Sequence, residues 1–255
     1  MDLPLAELRS VALRELSRLP GSPLFVTISG AHLYGFSSPD SDFDVRGCHL
    51  MPLAAALSIS GPRETAEYTG IENGREIDFV SHDAAKFFRM MLRKNGYVME
   101  QIFSPIVVLG GPDLDELRAI ATGCITRHIH HHYRGFYQNQ MSMAEKEVVK
   151  KAKTLLYAYR VLLTGIHVLR TGQIEANLPR LLEVYPCPGV SDLLAAKVKE
   201  KAGIPAGDLD IHRRALEGLS ARLEQAFAES TLPEAPREAA ALDRFLVSLR
   251  LRPAP

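Results

Sequence analysis

The stretch that decides the fold runs Leu24-Phe25-Val26-Thr27-Ile28-Ser29-Gly30-Ala31-His32-Leu33-Tyr34-Gly35 and resumes, after a Ser/Pro/Asp-rich link, as Ser41-Asp42-Phe43-Asp44-Val45-Arg46-Gly47. Its first part is an apolar run that stops at Ser29-Gly30, which predicts a buried strand ending in a tight turn. Its second part opens another strand, Phe43 to Leu50. Alternate residues of a strand face the same way, so Asp42 and Asp44 are expected to project together while Phe43 points into the core. Two carboxylates held so close repel each other unless a cation lies between them. Oxygen-only ligands beside a phosphate suit Mg²⁺ better than zinc.

The Asp-x-Asp spacing alone decides little. Asp113/Asp115 and Asp208/Asp210 repeat it, and both stand where helices begin, which makes them cap and dipole acids. Three features separate the first pair from these. It begins a strand. It follows the Gly30 turn by about a dozen residues, a connection that brings exposed backbone N–H groups toward a triphosphate. And Asp78 lies in Glu76-Ile77-Asp78-Phe79-Val80, where Asp is depleted and Ile77 and Phe79 face the core. Asp78 joins the same face if its strand pairs beside the first. An EF-hand reading fails, because Val45 stands at the required glycine and Met51 at the bidentate glutamate.

Working outward, Leu5, Leu8, Ala12, Leu16 and Leu19 follow Pro4 at helical spacing, and Pro20-Gly21 ends that helix. Glu64 to Glu72 and Arg75 to Ser81 flank Asn73-Gly74, a dipeptide suited to a type I′ hairpin turn. Asp83 to Lys94 is helical and is expected to stop at Asn95-Gly96, and Ile106 to Leu109 is an edge strand. Gly110-Gly111-Pro112 marks the domain boundary. Beyond it only helical periodicity remains, over 114–140, 143–170, 190–202, 209–229 and 235–250. The expected architecture is α+β: a small mixed sheet with flanking helices over 1–112, then an all-helical domain over 113–255.

These strings resemble the DNA polymerase β-like nucleotidyltransferase superfamily, whose signature is a Gly-Ser turn, a gap, an Asp-x-Asp strand and a later strand carboxylate. Tyr34-Gly35 after the turn and Arg46-Gly47 after the second aspartate are similar to the RNA-repair-pathway branch, and a looser likeness extends through Asn95 to Glu100 and Ser230 to Glu234. The resemblance implies a catalytic domain followed by a helical domain that completes the nucleotide and acceptor cleft. It implies two Mg²⁺ ions, or Mn²⁺ in their place, held by Asp42, Asp44 and Asp78. It implies transfer of a nucleoside monophosphate from a nucleoside triphosphate such as ATP to an acceptor hydroxyl, with an RNA 3′ end as the expected acceptor. Gly30 corresponds to the family's turn glycine. The serine that follows it in the family is Ala31 here, which leaves Ser29, or the backbone amides alone, to hold the phosphates, or else implies a weak or altered enzyme. Nucleotidylation of a protein or small molecule, and nucleotide or RNA binding without catalysis, are the competing readings.

In the helical half, Ser142-Met143-Ala144-Glu145 matches a capping box opening a long helix. On that helix Lys146, Lys150, Lys153, Tyr157 and Arg160 fall in one stripe opposite an apolar face. A cation row with one aromatic suits a triphosphate and base, and Lys153, Tyr157 and Arg160 are the expected nucleotide contacts. His128, His130, His131 and His132 lack a nearby acid or Cys in sequence and are expected as hydrogen-bonded histidines, not a metal site. Arg134 and Tyr137 are candidate RNA contacts.

Composition sets the remaining bounds. Thirty Lys and Arg balance thirty Asp and Glu, so any grip on a polyanion comes from a local patch instead of the net field. Cys48, Cys124 and Cys187 form no CxxC pair, which fits a reducing compartment. Neither a signal peptide nor a span long enough for a bilayer is legible, since Arg160 and His167 break the longest apolar run. A cytoplasmic protein with no membrane partner is the expectation.

Overall fold

A computed structural model of the chain describes residues 3–19, 21–61, 63–146, 151–198 and 206–252. Helix α1 (Leu5–Leu16) leads into strand β1 (Ser22–Ile28), the five-residue α2 (Gly30–Tyr34) and β2 (Phe43–Leu50). A short α3 (Leu53–Ala56) precedes the hairpin of β3 (Thr65–Glu72) and β4 (Arg75–Asp83). Its turn residues have φ of 48° at Asn73 and 76° at Gly74, as the Asn-Gly signal requires. Then come α4 (Ala84–Leu92), α5 (Gly96–Phe103), β5 (Val107–Leu109) and α6 (Pro112–Thr122). Asp83 caps α4 by accepting from the Ala85 N–H at 3.0 Å. The remainder is helical: α7 (His130–Lys146), α8 (Ala152–Thr171), α9 (Leu178–Val184), α10 (Val190–Val198), α11 (Ala206–Glu229) and α12 (Ala239–Leu251).

The strands form one mixed sheet in the order β3-β4-β2-β1-β5. Only β2 and β4 run parallel; the other pairs are antiparallel. Alternation along the strands gives the sheet two different faces. Phe43 and Val45 of β2, Ile77 and Phe79 of β4 and Val26 and Ile28 of β1 bury one face against Leu8, Val11, Ala12 and Leu16 of α1. On the other face Phe25 packs edge-on to Phe87 of α4, with ring centroids 5.4 Å apart, and the Thr27 hydroxyl donates to the Gln101 carbonyl of α5. The α+β class is as expected.

The chain divides into two compact units that do not follow chain order. The sheet unit comprises Met1–Leu33, Ser41–Cys124 and Ala235–Pro255; the helical unit comprises Tyr34–Asp40 and Ile125–Glu234. The boundary thus differs from the expected break at 112, because α6 and α12 belong with the sheet. Phe245 of α12 stacks on Phe88 of α4 with centroids 6.0 Å apart, and the Arg237 N–H donates to the Gly123 carbonyl. Arg250 reaches back to Asp83 at 2.7 Å, an ion pair with both side chains buried.

Two local readings are corrected. Asn95-Gly96 does not simply end α4: Lys94 takes the left-handed conformation (φ 65°), and Asn95 caps the next helix by accepting from the Tyr97 N–H at 3.1 Å. Ser142 to Glu145 lie inside α7 and open no helix, so Lys146 belongs to α7 and Lys153 to α8. Lys150 lies outside the described residues, as does Pro20.

Candidate active site

Parallel pairing of β2 with β4 sets Phe43 opposite Ile77, Asp44 opposite Asp78 and Val45 opposite Phe79. Paired residues share a face, so the register that buries the apolar partners brings the Asp44 and Asp78 carboxylates together on the opposite face. Both are partly exposed, with side-chain exposures of 21% and 35%. Asp42 is half-buried and stands one residue ahead of the first paired position. Of the three predicted acids, the register joins two. Among the described residues no three His, Cys, Asp or Glu side chains gather as a metal-binding group.

The cation between the two acids belongs to the protein. Arg46, two residues on from Asp44 and therefore on the same face, is buried, and its Nη2 donates to Asp44 Oδ1 at 2.6 Å and to Asp78 Oδ2 at 2.7 Å. Its Nη1 donates to the carbonyls of Val45 and Asp78, at 3.1 and 2.6 Å. Its Nε donates to the Tyr97 hydroxyl at 2.7 Å. A guanidinium has five N–H donors, and these five acceptors use them all. Burial opposes charge on Arg46, but the Tyr97 hydroxyl and then Asp44 and Asp78 together outweigh it and raise its pKa, so it stays protonated. Burial pushes the Tyr97 phenol up, keeping it neutral beside the guanidinium. Neither Arg46 nor Tyr97 stood out in the sequence as a site residue. For Arg46 the signal was its alternation with Asp44. Tyr97 was obscured because Asn95-Gly96 looks like a stop.

The glycine turn abuts this pair. Gly30 has φ of 61°, and a Cβ placed there would lie 1.7 Å from Asp44 Oδ2. Only glycine admits the carboxylate so close to the backbone. The Ser29 N–H donates to the Asp44 carbonyl at 2.8 Å and extends the β1–β2 pairing into the turn. The Ser29 side chain itself is fully buried beside Tyr97, so it is not displayed at the surface as the Ala31 departure had suggested; Ala31 is buried too.

Whether the residues suit Mg²⁺ turns on donor chemistry. Mg²⁺ keeps several waters and is commonly bound through one or two carboxylates plus substrate phosphates, not by an all-protein cage. Asp44 and Asp78 supply two half-exposed carboxylates on one face, with a backbone-lined turn beside them. That set fits an ion completed by substrate oxygens.

The predicted stripe on the helical unit is divided. Lys153 is exposed, Tyr157 half-buried and Arg160 only 2% exposed. The Arg160 guanidinium lies 3.8 Å from the centre of the Tyr34 ring, and Tyr157 packs edge-on to Tyr34 and Phe36 at 5.7 and 5.2 Å. Lys197 Nζ donates to Ser38 Oγ at 2.7 Å. Tyr157, Arg160 and Lys197 thus hold segment 34–40, which links the Gly30 turn to the acid-bearing strand. Of the histidines, His130 is buried against Phe227 and contacts Glu224 at 3.1 Å, while His128 meets Glu234 at 2.7 Å. They are hydrogen-bonded, as expected. Arg134 lies 3.5 Å from Glu224, and Tyr137 is half-buried.

The mixed sheet and the paired strand carboxylates agree with the expectation of a nucleotidyltransferase of the DNA polymerase β type, and the family comparison establishes that class. A model of the RNA repair pathway DNA polymerase beta family (RlaP) matches residues 7–248, and the chain belongs to that family. It is 31% identical over 220 residues to the uncharacterized protein MJ0002 of Methanocaldococcus jannaschii, covering 86% of this chain and 90% of that one. A nucleotidyltransferase-like protein from Exiguobacterium sibiricum aligns over 98% of this chain and 81% of its own, at 11% identity and a TM-score of 0.35.

Proposed function

We propose that the chain transfers a nucleoside monophosphate from a nucleoside triphosphate to the 3′ hydroxyl of an RNA, and that Asp44 and Asp78 carry the reaction with Mg²⁺ or Mn²⁺. The supporting observation is the in-register pair: two carboxylates on neighbouring parallel strands, partly open to solvent, with the Gly30 backbone against one of them. Asp44 and Asp78 would hold the ion in this reading, with Asp42 as a candidate third ligand and substrate oxygens supplying the rest. Bound there, the divalent ion supplies positive charge to the triphosphate and lowers the pKa of the attacking hydroxyl.

The chain's own groups do the rest. The Gly30 turn admits the triphosphate close to Asp44. Asp78, the more exposed acid, accepts the proton of the acceptor hydroxyl. The hydroxyl oxygen then bonds to the α-phosphorus, and the bond to the bridging oxygen breaks to release pyrophosphate. The chain works in the cytoplasm in this account, and no described helix is long and apolar enough to cross a membrane.

The acceptor is tested by incubating the protein with Mg²⁺ and each α-labelled nucleoside triphosphate, together with tRNA, other RNA or no acceptor. Label on RNA is expected. Label on the protein alone, which the balanced net charge would favour, replaces RNA with a protein hydroxyl. No transfer in any arm contradicts the reading.

A further inference from the structure

The Arg46 network has a consequence for how the divalent ion arrives, and it rests on the nucleotidyl-transfer reading above. All five guanidinium donors are engaged by Tyr97 Oη, the Val45 and Asp78 carbonyls, Asp44 Oδ1 and Asp78 Oδ2. With every donor satisfied, Arg46 has none to offer a phosphate. It is therefore not built as a phosphate-binding arginine. Its position instead meets the need that two adjacent carboxylates create, a cation between them. It is buried, and anchored through Tyr97 to the first turn of α5, where Asn95 fixes the Tyr97 backbone.

We infer that Arg46 is a positioning residue that serves as the resident counter-cation of the Asp44–Asp78 pair. By taking one oxygen of each acid, it holds both carboxylates directed before any ion is bound. A pair whose two negative charges are half offset by a fixed guanidinium has less electrostatic need of a free divalent ion. The site consequently binds Mg²⁺ weakly alone and acquires it together with the nucleoside triphosphate, whose phosphate oxygens complete the coordination. Metal affinity and nucleotide affinity are coupled through the charge that Arg46 already supplies.

Isothermal titration with Mg²⁺ and with Mn²⁺, backed by thermal unfolding, tests this on the full chain. The wild type is expected to show millimolar or weaker affinity for either ion alone and no rise in Tm. Added with a non-hydrolysable α,β-methylene triphosphate, the same ion should bind at least tenfold more tightly. In Arg46→Gln the acids lose their counter-cation, so the Tm without metal should fall, and Mg²⁺ alone should restore it with an affinity at least tenfold above the wild type's. Asp44→Asn in the Arg46→Gln background should erase that gain. If Arg46→Gln does not fold, Tyr97→Phe removes only the Nε acceptor and should shift metal affinity the same way by a smaller factor. Micromolar Mg²⁺ binding by the nucleotide-free wild type overturns the inference, as does unchanged metal affinity in both variants. None of these readouts requires turnover, so the inference and the proposed transfer reaction can fail separately.

Discussion

At the residue scale the account rests on close approaches that single substitutions disturb. Gly30→Ala puts a Cβ where Asp44 Oδ2 lies and asks a non-glycine residue to hold φ of 61°. We expect a loss of about 1–3 kcal/mol in denaturant unfolding together with loss of transfer; wild-type behaviour in both assays would refute the contact. His82 gives a pH-dependent test. Lys86 Nζ donates to Thr65 Oγ1, which is also hydrogen-bonded to His82 Nδ1 at 3.0 Å. Burial, with Lys86 next, lowers the His82 pKa to about 4. The folded state therefore resists a proton that the unfolded chain takes up near pH 6.5, so stability falls as pH drops from about 6.5 toward 4. His82→Gln should flatten that part of the Tm–pH curve, and an unchanged slope would assign it to other groups such as His49. The carboxylates were legible in the sequence because period-two alternation is a strong rule, and Phe43, Ile77 and Phe79 do face the core. Arg46 obeyed the same alternation but was read only as a motif letter. That three acids face one way says nothing about which two a strand register will pair.

At the element scale, two contacts fix pieces of chain that sequence periodicity assigns elsewhere. Helix α12 belongs with the sheet because Arg250 pairs with the buried Asp83, which also accepts from the Met51 and Ala85 N–H groups. Arg250→Met leaves that carboxylate buried without its cation and should cost about 3–5 kcal/mol of stability by urea unfolding. A cost under about 1 kcal/mol would mean the ion pair contributes little. In the helical unit, Arg160→Ala removes a buried guanidinium stacked on Tyr34, with an expected loss of about 2–3 kcal/mol and faster amide exchange in residues 34–40. Lysine at that position should recover only part, since it lacks the planar face. Unaltered exchange there would separate Arg160 from the segment. Neither contact could be read from the sequence, which records helical period but not which helix a distant side chain meets. The Asn-Gly hairpin, a purely local signal, was read correctly.

At the scale of the molecule, the sheet unit carries the paired acids, the glycine turn and Arg46, and the helical unit holds the seven-residue link between turn and acids. The division explains why a boundary drawn from composition at Gly110-Gly111-Pro112 separates α6 and α12 from the sheet they pack on: chain order is not spatial order. Family membership establishes a nucleotidyltransferase of the DNA polymerase β type, and the proposed reaction is placed at the paired carboxylates. The most direct test is pyrophosphate release from a nucleoside triphosphate with Mg²⁺ and RNA, comparing wild type with Asp44→Asn and Asp78→Asn, each checked for an unchanged far-ultraviolet circular dichroism spectrum. The account predicts release by the wild type that EDTA stops, and a fall of at least about a hundredfold in each variant, as expected when an acid that holds the ion or takes the proton is removed. Wild-type rates from either correctly folded variant would contradict it.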